Sequence, residues 1–199
     1  AGAIMAQHRD ATAMLQLKAN WEVQNKSKVF FFPMPDYLET LKPYDPSYAK
    51  LKESALNYAL ELSPGKGGVL DFQLVKNTKP VTMQRVWGGP AQRCGYWWTL
   101  PHPLAIAPDS KLTLADFMEA MGVCPEWNNG TFLETCSILG DWKFVVGQGN
   151  SATCAWGNTL FPPAALLQVN GDVCGQATDC STCNLQTDFD HCWAQMRWD

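Results

Sequence analysis

The chain has 199 residues, a formal net charge of −4, 46% hydrophobic residues and 17% charged ones, which suits one well-buried globular domain. The acidic balance and the lack of any basic run or stripe argue against nucleic acid as the partner. No apolar run approaches the roughly 20 residues that span a bilayer, so no transmembrane segment is expected.

The chain opens on Ala1 rather than Met, so either an upstream segment was removed or the sequence was trimmed at that point. Residues 1 to 24 read as a weakly amphipathic helix, with Ile4, Ala11, Met14, Leu15 and Leu17 in a partial apolar stripe. Val29 to Phe32 is a short apolar run closed by Pro33 and Pro35. Asp45-Pro46 opens a firmer helix. Asp suits the N-cap, Pro suits the first helical position, and Tyr48, Leu51, Ala55, Tyr58 and Leu62 share one face. Ser63-Pro64-Gly65 ends it. A strand follows from Val69 to Val75, with Leu70, Phe72 and Leu74 on one side, and then a turn from Lys76 to Pro80.

The stretch Val81 to Thr99 concentrates the chemistry. As a strand, its start places Val81, Met83, Arg85 and Trp87 on one face and Thr82, Gln84 and Val86 on the other. A guanidinium among apolar neighbours cannot lose its proton and must find partners. Gly88-Gly89-Pro90 breaks the strand and permits close approach of a ligand. A second aromatic strand, Tyr96-Trp97-Trp98-Thr99, is ended by Pro101 and Pro103. An Arg, a glycine gap and a Trp-Trp wall suit a flat, phosphate-bearing molecule. The plainer alternative is a hydrophobic hairpin whose Arg reaches a structural carboxylate.

Leu104 to Lys111 reads as loop, and Leu114 to Met121 as a helix capped by Thr113 and stopped by Gly122. Pro125 to Gly130 is turn-rich. Phe132 to Leu139 and Trp142 to Gly147 read as strands, with Gly140-Asp141 as a hairpin signal between them. The last predicted strand is Leu166 to Asn170. Helices thus dominate early and strands later. The expected fold class is α+β, with N-terminal helices packed on a small, mostly antiparallel split β-sheet core, stabilised by disulfides. The expected divisions are an N-terminal helical region (1–64), a β-rich core (65–171) and a Cys-rich C-terminal appendix (172–199), together one compact unit.

Eight cysteines, Cys94, Cys124, Cys136, Cys154, Cys174, Cys180, Cys183 and Cys192, all fall after residue 93. An even count spread through turns and short strands indicates disulfides and an oxidising, extracytosolic compartment, with the pairing left open. A zinc site built on Cys180, Cys183, His191 and Cys192 is the weaker alternative, because only one CxxC is present. Asn25-Lys-Ser and Asn129-Gly-Thr are N-glycosylation acceptor patterns consistent with secretion.

The run Val81-Thr-Met-Gln-Arg-Val-Trp-Gly-Gly89, with Gly95-Tyr-Trp-Trp-Thr99 after it and Leu166-Leu-Gln-Val169 late in the chain, resembles ADP-ribosyltransferase-like toxin domains and their NAD glycohydrolase relatives. The resemblance spans about residues 69–171. It implies a cleft that takes NAD as substrate, with no permanently bound cofactor. It assigns Arg85 to the NAD phosphates, Thr99 to the nicotinamide-side ribose or to strand support, and Trp97 or Trp98 to a ring. Gln168 then binds the ribose hydroxyls, with Gly88 and Gly89 beside the ligand.

Where transferases of that family carry Glu, this chain has Gln168 followed by Asn170. That tilts the implied activity toward hydrolysis by water, and Glu126, Glu134 and Asp172 become candidates for the missing charge. His102, in Pro-His-Pro, is a candidate proton donor or phosphate contact, while His8 and His191 read as structural. The expectation is a secreted, NAD-consuming enzyme that cleaves the nicotinamide–ribose bond, with water or a partner protein as acceptor. The alternative is a non-catalytic, disulfide-rich subunit or binding module for a protein or glycan.

Overall fold

The computed structural model describes residues 34–59, 67–69, 72–100, 114, 115, 118, 122–149, 152–155, 159–161 and 167–196. The helix expected over residues 1–24, the apolar run 29–32, the Asn25 acceptor pattern, His8 and His102 lie outside them. The fold expected from sequence is overturned. Instead of helices packed on a small split sheet, the described residues form one eight-stranded sheet with a few short helices.

Its strands are β1 (Leu38–Thr40), β2 (Gln73–Asn77), β3 (Val81–Trp87), β4 (Trp97–Leu100), β5 (Phe132–Ile138), β6 (Lys143–Gln148), β9 (Leu167–Asn170) and β10 (Ala177–Asn184). They lie in the order β1-β2-β6-β9-β4-β3-β5-β10, and every pairing is antiparallel. β7 (Ala152–Cys154) and β8 (Thr159–Phe161) form a separate pair. The helices are α1 (Tyr48–Ser54), α2 (Val173–Gln176) and α3 (Phe189–Met196). None among the described residues is long and apolar enough to cross a membrane.

α1 starts later than Asp45-Pro46 suggests. Asp45, three residues before Tyr48, accepts a hydrogen bond from Ser47 N–H at 2.9 Å, so it does not cap the helix directly. The helix then widens into a π-helical turn, Ala55–Ala59. The wider turn stacks Ala59 over Ala55 against the sheet and leaves Tyr58, an expected core residue, exposed. The sequence also gives no warning of β1, which is only three residues long. β10 carries no apolar alternation beyond its cysteines, so it reads as an appendix although it forms the sheet's edge.

Gly140-Asp141 does not make a hairpin, because β5 and β6 are four strand spacings apart. In a flat sheet that is about 19 Å, more than the roughly 17 Å that five Cα steps from Ile138 to Lys143 reach. The link from Asn77 to Val81 is shorter still, at about 14 Å for the same spacing. The sheet must therefore curl until β2–β6 and β3–β5 meet end to end. Buried Asn77 fastens the two links together. Its amide donates to the Lys79 and Leu139 carbonyls and its side-chain oxygen accepts from Trp142 N–H. The concave face of the curl holds the main core, with Met83, Trp98, Leu100, Cys136, Ile138, Phe144, Val146 and Val169.

The convex face carries two smaller clusters. Leu41, Ala55, Ala59, Leu74 and Val145 gather under α1, and Val86, Leu133, Cys183, Leu185 and Cys192 gather beside α3. All eight cysteines are paired, as Cys94–Cys174, Cys124–Cys154, Cys136–Cys180 and Cys183–Cys192. Cys180, Cys183 and Cys192 thus have no thiolate to offer a metal, and the zinc alternative falls. Four disulfides are the mark of a chain matured in an oxidising compartment.

Candidate functional site

Between the two convex clusters the sheet is polar. One register row crosses five strands, running Thr135 on β5, Gln84 on β3, Thr99 on β4, Gln168 on β9 and Gly147 on β6. Residues directly opposite in antiparallel strands share a face, so the side chains of Thr135, Gln84, Thr99 and Gln168 line up side by side and Gly147 leaves the end of the row open. Gln84 Nε2 donates to Thr135 Oγ1 at 3.1 Å, and Thr99 Oγ1 donates to the Gln84 carbonyl at 2.8 Å. Gln84, Thr99 and Gln168 are all buried.

Gln84, Thr99 and Gln168 of this row floor a cleft of about 390 Å³. Gly67, Gly68, Gly149 and Trp97 line it, as do Gly122, Val123, Trp127 and Asn128, and a Cβ at Gly67 would stand 3.4 Å from the Trp127 ring. Trp97 packs against the α1 cluster, whereas the Trp98 ring lies in the main core on the opposite face and donates to the Gly95 carbonyl. Adjacent strand side chains point to opposite faces, so it is the Trp97 ring that shares the face of the polar row, although both residues line the cleft.

The cleft exists because β3 and β4 part. Gln84 and Thr99 are their one register pair. Beyond it each strand has a backbone carbonyl without a strand partner, and a side chain takes each one. Asn128 Nδ2 donates to the Val86 carbonyl at 2.7 Å. Arg85 bridges the gap, its Nη1 donating to Trp97 O at 2.9 Å and its Nε to Gln92 O at 3.0 Å.

Arg85 thus meets carbonyls rather than the structural carboxylate of the plainer sequence reading. Two of its five donors are engaged among the described residues. Burial lowers its pKa from the ordinary value, although a guanidinium stays charged. Its placement needs Gly95, where a Cβ would overlap the guanidinium carbon and Nη2.

The sequence-derived candidates divide. Arg85, Thr99, Trp97 and Gln168 come together around the cleft, although Thr99 spends its hydroxyl proton on the β3–β4 seam. Gly88 and Gly89 are not among the cleft-lining residues. They pack under Asn129, whose side-chain oxygen a Cβ at Gly88 would strike. The three acidic candidates lie away from the cleft. Glu134 is 1% exposed and accepts from Trp87 Nε1, Thr182 Oγ1 and Arg93 Nη1. Glu126 accepts from Ala155 N–H, and Asp172 caps α2. None of the three lines the cleft, nor does any other carboxylate among the described residues.

Glu126 and Glu134 each sit beside a disulfide, whose oxidised sulfurs do not supply metal ligands. Sequence reasoning missed Gln84, Asn128 and Trp127. Gln84 was legible as a polar residue between Met83 and Arg85 in a strand that is otherwise largely apolar, while Asn128 and Trp127 sat in a turn with no periodic signal. No protein-family model, characterised protein or solved structure matches the chain.

Proposed function

We propose that the cleft binds NAD and cleaves its nicotinamide–ribose bond, with water as the acceptor, in a secreted or otherwise extracytosolic protein. The observation that carries this reading is the alignment of Thr99 and Gln168 in one register row beside Arg85 and Trp97. The volume is in the range of small-molecule sites. Arg85 meets the pyrophosphate with its remaining donors, a task that favours guanidinium over ammonium. Trp97 backs a flat ring, and Gln168 holds the ribose hydroxyls.

The nicotinamide of NAD is already a cation. The C1′–N bond breaks with its electron pair going to nicotinamide, which leaves neutral and needs no proton. Water oxygen bonds C1′ and its proton passes to solvent. Neutral amides in the cleft are compatible with this step. An amide oxygen of Gln84 or Gln168 presented to C1′ favours the cationic sugar as it forms.

The test is nicotinamide release by the oxidised protein, beside Arg85→Ala and Gln168→Ala. Each variant should lower kcat/KM by about 10²-fold or more. Unchanged turnover in folded variants would refute the assignment. The lack of a carboxylate in the cleft favours a second reading, a binding module without turnover. It would show NAD or another ligand bound in calorimetry with no nicotinamide released.

A further inference from the structure

The turn Pro125 to Gly130 carries two adjacent asparagines with opposite fates. Asn128 is buried, with Nδ2 committed to the Val86 carbonyl. Asn129 is exposed and heads the triplet Asn129-Gly130-Thr131. Its Oδ1 accepts from Thr131 N–H at 3.1 Å and from Thr131 Oγ1 at 2.5 Å. That leaves Nδ2, which no hydrogen bond engages among the described residues. It lies over Gly89, where a Cβ would stand 3.0 Å away. Gly89 and Pro90 are themselves exposed, so the direction beyond Nδ2 opens to solvent.

We propose that Asn129 is an N-glycosylation site. The triplet has the acceptor pattern with a non-proline centre. The four disulfides place the chain's maturation in an oxidising compartment, the setting in which such transfer takes place. The donor is a lipid-linked diphospho-oligosaccharide. Asn129 Nδ2 bonds the sugar C1, the C1–O bond to the lipid diphosphate breaks, and the amide gives up one proton. The folded chain accommodates the product, because Nδ2 is the one polar atom of the Asn129 side chain that makes no hydrogen bond among the described residues. The glycan then stands one and two residues from Asn128 and Trp127, at the rim of the cleft. The inference does not depend on what the cleft binds.

The test is secretion of the full chain from a eukaryotic host, followed by intact mass and peptide mapping before and after enzymatic glycan release. The expected result is a peptide spanning residue 129 that carries glycan and is deamidated at Asn129 after release. Thr131→Ala should lose that glycan and Thr131→Ser should retain it, with any glycan at Asn25 unaffected. An unmodified Asn129 peptide in the secreted wild-type chain overturns the proposal. So does a glycan mass unchanged by Thr131→Ala. The wild-type map decides the matter even where a variant folds poorly.

Discussion

Gly95→Ala isolates the contact that holds Arg85 in place. Gly95 does not occupy the left-handed region, so its backbone tolerates alanine. The obstacle is the guanidinium, since the new Cβ would overlap its carbon and Nη2 and lie 2.8 Å from Nη1. Arg85 must then release its bonds to Gln92 O and Trp97 O. Hydrogen bonds from a charged donor contribute about 1.5–3 kcal/mol each. Partial rehydration of the guanidinium offsets some of that, which leaves a cost of about 3 kcal/mol. For a chain of this size that lowers Tm by about 6–12 °C. The assay is urea unfolding of the oxidised protein in a double-mutant cycle with Arg85→Ala. In the Arg85→Ala background the same Gly95 substitution should be neutral, or stabilising by up to about 1 kcal/mol through reduced chain freedom. Equal costs in the two backgrounds would refute the reasoning, because the guanidinium would then not be what excludes a side chain.

Two other predictions concern charges outside the cleft. Glu134→Ala leaves Trp87 Nε1, Thr182 Oγ1 and Arg93 without their shared acceptor. Breaking a buried pair costs about 3–5 kcal/mol, and the half-exposed Arg93 puts this case at the lower end. Glu134→Gln, which keeps an acceptor oxygen, should cost clearly less in thermal melts, and identical losses would sink the account. Asp45 is held by Lys143 Nζ at 2.8 Å and by Ser47 N–H. The Lys143 bond and then the Ser47 bond lower its pKa below the ordinary 3.8. With the folded value depressed, its contribution is present above pH 3.8 and fades as pH falls through the folded value. Asp45→Asn should therefore flatten the acid limb of stability against pH, and an unchanged limb would contradict the pairing.

Much of the strand content was legible, and the sheet that the strands build was not. β3, β5, β6 and β9 announce themselves through alternation and β-branched or aromatic residues. Their order depends on long-range contacts. Gly140-Asp141 has the composition of a hairpin turn and serves as a crossover, because buried Asn77 draws both links to one point. β10 hides its identity because an edge strand buries little and needs no apolar alternation. In the cleft, the sequence order of Arg85, Thr99 and Gln168 sufficed to nominate them. It did not show that Arg85 would serve carbonyls at a gap between strands, nor that Gln84 would complete the row. Both follow from register, which periodicity alone leaves open.

The Cys136–Cys180 bond has a consequence for association between copies. The two residues face each other in register on β5 and on the edge strand β10, with Cα atoms 4.1 Å apart. An edge strand is a segment readily exchanged between two copies of a chain, since it need only peel away and dock in its twin. Here the strand is welded to its neighbour partway along its length, and Cys183–Cys192 ties its far end to α3. In the oxidised protein, exchange of β10 between copies is barred covalently. Reduction removes that bar before it removes the hydrogen bonds of the ladder.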